Sequence, residues 1–330
     1  MDGKQPKTTD GLMRHIRNNK DIKIKGSKQK RQLQNIGYFH GYKGYSFFQN
    51  KNSPLYFENF DEVVSLYDFD SNIKTLFYKH VMFAETAIKN RLLEIIHKQS
   101  GTELEKLFSE VLTDYKRYQV RTSKYKEKFK QTMKLRNDIY EKIHANFNSK
   151  SFINHFIYND RSVPLYAVFE LFTLGNLVFF TRCMNSTIKI QIITDLGLYH
   201  SSFDKNDRLI GDLIDCLKGL RNAIAHNGVL FDCRFKENNV GKQLTEYFNI
   251  QMNVKDIQFN RIVDYLAVII LISSSLGYNK TELRKIVKSF EIYLNELRQN
   301  LNVSTYDKIF GTDVRSKIRE INEYINNFSW

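Results

Sequence analysis

The stretch DEVVSLYDFDSNIKTLFYKHVMFAETAIKNRLLEIIH, residues 61–97, decides the fold class. Leu66, Phe69, Ile73, Leu76, Phe77, His80, Ala84, Ile88, Leu92 and Ile95 recur at steps of three and four, the period of one face of an α-helix. Asp61 is placed to cap the start, and Gly101 lies just past the end. A helix of this length is expected to kink or break once. His80 sits on the apolar stripe and reads as a core histidine rather than a metal ligand.

The same period continues on both sides. Leu104, Leu107, Phe108, Val111 and Leu112 predict a helix over 102–120. Pro164 opens a helix at PLYAVFELFTLGNLVFF, 164–180, with Gly175 inside it for close packing or a bend. A shorter helix follows from Thr187. Leu209, Leu213, Leu217, Leu220 and Ile224 make 207–226 a core-facing helix with Gly228 as its stop. A polar loop is expected at 232–243 and helices at 255–276, 280–301 and 312–327. Upstream, Gly26 interrupts a basic segment, and IGYFHGYKGYSFF, 36–48, sets three glycines among aromatics, which predicts a turn-rich segment. With only 3 Pro and 15 Gly in 330 residues, these segments add up to an all-α protein.

The 42% hydrophobic content supports a packed core and excludes wholesale disorder. The most apolar run, YLAVIILI at 265–272, is far short of the ~20 residues a membrane span needs and reads as a buried core helix. The N-terminus has no apolar secretory region. Cys183, Cys216 and Cys233 are widely spaced and odd in number, which suits a reducing cytoplasm and neither a disulfide framework nor a zinc site. No Gly-rich phosphate loop of the GxxxxGK[ST] or GxGxxG type is present, and no metal-ligand spacing stands out. No cofactor is expected.

The formal net charge of +14 attracts polyanions, because phosphate contacts release condensed counterions. Nucleic acid, an anionic membrane surface and a simple solubility charge all fit that number. The distribution points to nucleic acid. Lys23, Lys25, Lys28, Lys30 and Arg31, with Tyr42 and Lys43 behind them, form one basic segment. Lys116, Arg117, Arg121, Lys124, Lys126, Lys128 and Lys130 form a second, interleaved with Tyr115, Tyr118, Tyr125 and Phe129. Such a surface can follow a phosphate backbone while rings stack on unpaired bases; it can equally be a solvated helix whose rings pack on the body.

GLRNAIAHNG, 219–228, carries the chemistry-bearing residues. On a straight helix Asn222 and His226 are an i,i+4 pair on the outward face, and Arg221 lies at the edge of the core face. Arg221 and His226 then diverge by about 140°. For both to meet one phosphate the last turn must distort, the arginine must reach around, or a second copy must face the first. A histidine can move the proton of a ribose 2′-OH or of a leaving 5′-oxygen, and an arginine can bind the charged phosphorane. The bland alternative is a surface ion pair and a histidine capping carbonyls at a helix end. Arg91 and His97 form a second pair with five residues between them. Glu85, on the apolar side of the long helix, needs a partner. Either it orients Arg221 or it pairs with Lys89.

RN-x3-H on a helix late in an all-α chain resembles the HEPN superfamily, whose R-x4–6-H motif marks many metal-independent ribonucleases. Four blocks in order resemble the Abi abortive-infection proteins of bacteria, of AbiD/AbiF type. They are IGYFHGYKGY; 66–92 with Phe69, Asp70, Glu85 and Arg91; 164–177 with Glu170 and Gly175; and LRNAIAHNGVLFDCRF, 220–235. Many members carry a second histidine after the motif histidine, where this chain has Asn227.

The resemblance implies a HEPN-type helical bundle with a basic N-terminal segment and additional C-terminal helices. It implies phage defence, a structured noncoding RNA partner and, less directly, RNA cleavage without metal. Arg221, Asn222 and His226 are then the catalytic set, with Glu85 and Arg91 in support. The expected organisation is a basic Gly/Tyr-rich segment at 1–58, a HEPN-like core at 59–235 with a basic insertion near 115–150, and C-terminal helices at 236–330. A cytoplasmic homodimer that binds RNA and no membrane is expected. A non-catalytic RNA scaffold and a DNA-binding regulator are the other readings.

Overall fold

The computed structural model describes residues 7–199, 204, 207–236, 240 and 242–328. Lys4 of the basic segment and residues 237–239 and 241 of the expected polar loop lie outside them. Among the described residues the protein is all helical, with fifteen α-helices and no strand. The chain divides into two units. One comprises Met1–His80, Leu220–Asn239 and Phe248–Trp330; the other comprises Val81–Gly219 and Val240–Tyr247.

In the first unit, Thr9–Lys20 begins at Thr8, whose hydroxyl accepts from the Gly11 N–H, and ends at Asp21 in the left-handed conformation. Gly26, at φ +78°, opens the next helix, Gly26–Ile36. The expected turn-rich segment is a π-helical turn over Gly37–Lys43. It depends on Gly41, since a Cβ there would meet the Ile36 side chain at 2.4–2.8 Å. The long helix runs over Phe60–Ser100 without the expected break. It contains no Pro or Gly, so nothing in it interrupts the backbone ladder.

The apolar run lies in Ile262–Ser275, every residue of which from Ile262 to Ser274 is buried. This helix starts later than the expected residue 255. Asn253, Asp256 and Phe259 take positive φ, and the Asp264 carboxylate accepts from the Gln258 and Phe259 N–H groups. Lys317 closes the same buried carboxylate at 2.8 Å. Lys280–Asn300 and Val314–Asn327 are present as expected, and an unexpected helix, Val303–Phe310, is capped by Asn302. His80 packs edge-on against Tyr278, 5.6 Å between centroids. Burial, with Lys79 nearby, pushes its imidazole down to about 4, so it stays neutral, as a core histidine should.

In the second unit, the single helix expected over 102–120 is three short pieces: Leu104–Lys106, a π-helical turn Leu107–Val111 and a 3₁₀ turn Asp114–Arg117. Buried Asp114 gathers Lys189 at 3.2 Å, Lys128 at 3.4 Å and Arg117 at 3.5 Å, which fixes a turn rather than a continuous helix. The helix expected over 164–180 is also divided, into Leu165–Glu170 and Leu174–Cys183. A reciprocal capping box between Thr173 and Asn176 starts the second piece, and Gly175 lies in its first turn. The basic run forms Ser123–Asn146. Its rings pack on one another: Tyr115 on Phe129 at 4.9 Å and Tyr125 parallel to Phe129 at 6.0 Å. Lys242–Gln251, helical where part of a polar loop was expected, crosses from the second unit to the first. Among the described residues no helix is long and apolar enough to cross a membrane.

Candidate functional site

The motif helix is Leu209–Ala225. Leu209, Leu213, Leu217 and Leu220 are buried, as the spacing predicts. Its end is wound into a Schellman closure: the Gly228 N–H donates to Ala223 O at 2.7 Å and the Asn227 N–H to Ile224 O at 3.1 Å. The left-handed residue is Asn227, φ +51°, rather than the expected Gly228. Gly228 is needed for space instead, since a Cβ would lie 3.3 Å from Ala223 O. His226 is the last residue before the reversal and is exposed. Arg221 and Asn222 are half-buried, and the Arg221 guanidinium donates to Asn222 Oδ1 at 3.4 Å.

Three side chains hold this end in place. Lys74 Nζ donates to Asn227 Oδ1 at 2.9 Å, and Asn227 Nδ2 lies 3.2 Å from His40 Nε2. Lys74 also pairs with Asp70 at 2.9 Å, one turn earlier on the long helix. Asp70 is fully buried. It accepts from the Leu230 and Phe231 N–H groups at 2.8 and 2.6 Å and from the Tyr45 hydroxyl at 2.7 Å. Burial, reinforced by that carboxylate, pushes the Tyr45 phenol far above its ordinary value, so it remains a donor. A second buried carboxylate, Asp232, accepts from the Gln49 N–H at 2.6 Å and from Arg234 Nε at 2.8 Å. Arg234 in turn reaches Phe47 O at 3.0 Å. Asp70 and Asp232 thus tie the segment after the motif to the Gly/Tyr segment.

Spacing alone does not single out His40, Lys74, Asp232 or Arg234. His40 and Asn227 are 187 residues apart in sequence. The one local signal is Lys74, four residues after Asp70 on one helix face.

The other expected residues fall as follows. Glu85, in the second unit, is buried and receives Lys89 at 2.9 Å; Lys89 also donates to Phe172 O. Arg91 is held by Asp195, at 2.8 Å to the carboxylate, rather than by Glu94, which takes Lys98. His97 is exposed. Lys23, Lys25, Lys28, Arg31 and Lys43 are exposed in the first unit, Lys30 pairs with Asp10, and Tyr42 is buried. Lys116, Arg121, Lys126 and Lys130 are exposed in the second unit, whereas Arg117 and Lys128 are engaged with Asp114 and Lys124 with Glu127. Cys183, Cys216 and Cys233 are buried. Among the described residues no three His, Cys, Asp or Glu side chains gather in a way that could hold a metal ion.

An all-helical chain with an exposed histidine at a buttressed helix end, one turn after an Arg–Asn pair, defines a class of helical protein with a polar motif site. A family model described as Abi-like protein matches residues 31–232, and the chain belongs to that family. No curated protein and no solved structure matches it significantly.

Proposed function

We propose that this protein is a bacterial abortive-infection protein of the AbiD/AbiF type that binds RNA and cleaves it through Arg221, Asn222 and His226. The observation that carries the reading is the exposed His226 at a helix end fixed by Asn227, Lys74 and Asp70. Membership of the Abi-like family supports a phage-defence role.

The chemistry needs only the ribose of the substrate and these side chains. Neutral His226 takes the proton of a 2′-OH, whose oxygen attacks the adjacent phosphorus. The P–O5′ bond breaks, and the 5′-oxygen takes up the proton that His226 accepted, which regenerates the imidazole. The products carry a 2′,3′-cyclic phosphate and a 5′-OH. Arg221 neutralises the phosphorane with its planar fork, and Asn222 holds the guanidinium. His226 faces outward at a helix end, which suits a homodimer in which two motifs line one cleft. A structured noncoding RNA is the partner that the basic N-terminal segment suits, and the reaction is placed in the cytoplasm.

The test is incubation of the purified protein, H226A and R221A with total cellular RNA, followed by sequencing of the cleaved ends. Wild type is expected to yield cyclic-phosphate ends, and each variant to lose about 100-fold or more in rate. Unchanged cleavage by H226A would overturn the assignment. Binding without cleavage by wild type would leave a non-catalytic RNA scaffold.

A further inference from the structure

The π-helical turn that presents His40 to the motif presents other residues to a cavity. That cavity, of about 620 Å³, lies wholly in the first unit, within the roughly 300–1,000 Å³ typical of small-ligand sites. Its walls include the rings of Tyr38, Tyr42, Phe47 and Tyr56. Lys20, Lys43 and Lys51 line it too, against one carboxylate, Asp21. Tyr38 and Tyr42 lie 5.4 Å apart, and the Lys43 ammonium stands 5.3 Å over the Tyr38 ring. Tyr42 is 3% exposed. Burial pushes that phenol up to about 12, so it stays protonated and can donate.

Each feature selects the ligand. Flat apolar walls fit a planar ring, three lysines against one aspartate fit an anion, and a protonated phenol fits a polar ring edge. A nucleotide joins all three in one molecule. Exposed Lys23, Lys25, Lys28 and Arg31 continue the positive charge along the same segment, as a chain of phosphates would require. We propose that this cavity binds one unpaired nucleotide of an RNA chain, its base against the Tyr38, Tyr42 and Tyr56 rings and its phosphate at Lys43 and Lys51. The proposal rests on the RNA reading above, and it assigns the Gly/Tyr segment the task of anchoring single-stranded RNA beside the turn that carries His40.

The test uses the full chain in the H226A background, which keeps RNA intact. The probes are a 20-nucleotide single-stranded RNA containing 4-thiouridine, and free UMP. After irradiation, cross-linked peptides are mapped by mass spectrometry, and affinity is read by fluorescence anisotropy. Tyr56→Ala is the main variant: the side chain is 71% exposed, and the Tyr56 backbone carbonyl that anchors Asn302 survives the change. Cross-links within 38–56 and a loss of about tenfold in affinity on Tyr56→Ala are expected, with a similar loss for Lys51→Gln. RNA binding with cross-links only elsewhere and unchanged affinity in both variants would overturn the cavity assignment and leave the RNA reading standing. Absence of any RNA binding would overturn both. UMP binding at the cavity without RNA binding there would overturn it in favour of a free-nucleotide site.

Discussion

Asp70 is the residue on which the motif's position turns. One fully buried carboxylate joins the long helix to the backbone of Leu230 and Phe231, to Tyr45 and to Lys74, and Lys74 passes the constraint on to Asn227. Replacing it by Asn leaves the volume and removes the charge. An amide offers one oxygen where the carboxylate offers two, and its NH₂ would face donors. Lys74, half of a buried pair, would lose its counter-charge. Asp70→Asn is therefore expected to destabilise the protein by about 3 kcal/mol, read as a lower urea midpoint with an unchanged slope. A loss below about 0.5 kcal/mol would show that solvent, not this carboxylate, satisfies the segment after the motif.

The motif helix shows what periodicity can and cannot reveal. Its buried stripe was legible because Leu209, Leu213, Leu217 and Leu220 repeat at the helical period. Its end was not, because both Asn227 and Gly228 suit a left-handed position and only tertiary partners decide between them. Asn227 takes it, drawn by Lys74 and His40. The division of 164–180 was hidden for a similar reason: the apolar pattern continues across Thr173, and only the reciprocal bonds of Thr173 and Asn176 mark a new start. The π-helical turn follows from how Ile36 covers Gly41, which no spacing rule contains.

Two substitutions separate the backbone and side-chain roles of Asn227. Asn227→Gly keeps the left-handed conformation and loses the Lys74 bond; Asn227→Ala loses both. The alanine variant is expected to be less stable than the glycine variant by about 1 kcal/mol, read from urea midpoints. Equal stabilities would mean that the helix end had rewound into another closure.

At the scale of the whole molecule, net charge argues for a polyanion and the structure shows which cations are available to one. Lys30, Arg117, Lys124 and Lys128 are already paired with carboxylates. Lys28 and Arg31 in the first unit, and Lys126 and Lys130 in the second, are exposed and make no ion pair among the described residues. The two sets belong to different units, and they can be tested separately. Each phosphate contact on single-stranded RNA contributes about 0.7 to the slope of log affinity against log salt. Lys28→Gln with Arg31→Gln is expected to flatten that slope by about 1.4. Lys126→Gln with Lys130→Gln is expected to do the same. Anisotropy titrations from 50 to 300 mM salt measure both. A flattened slope for the first pair alone would confine the RNA to the unit that holds the motif and the cavity, and an unchanged slope for both would show that the excess charge is not a phosphate-binding surface.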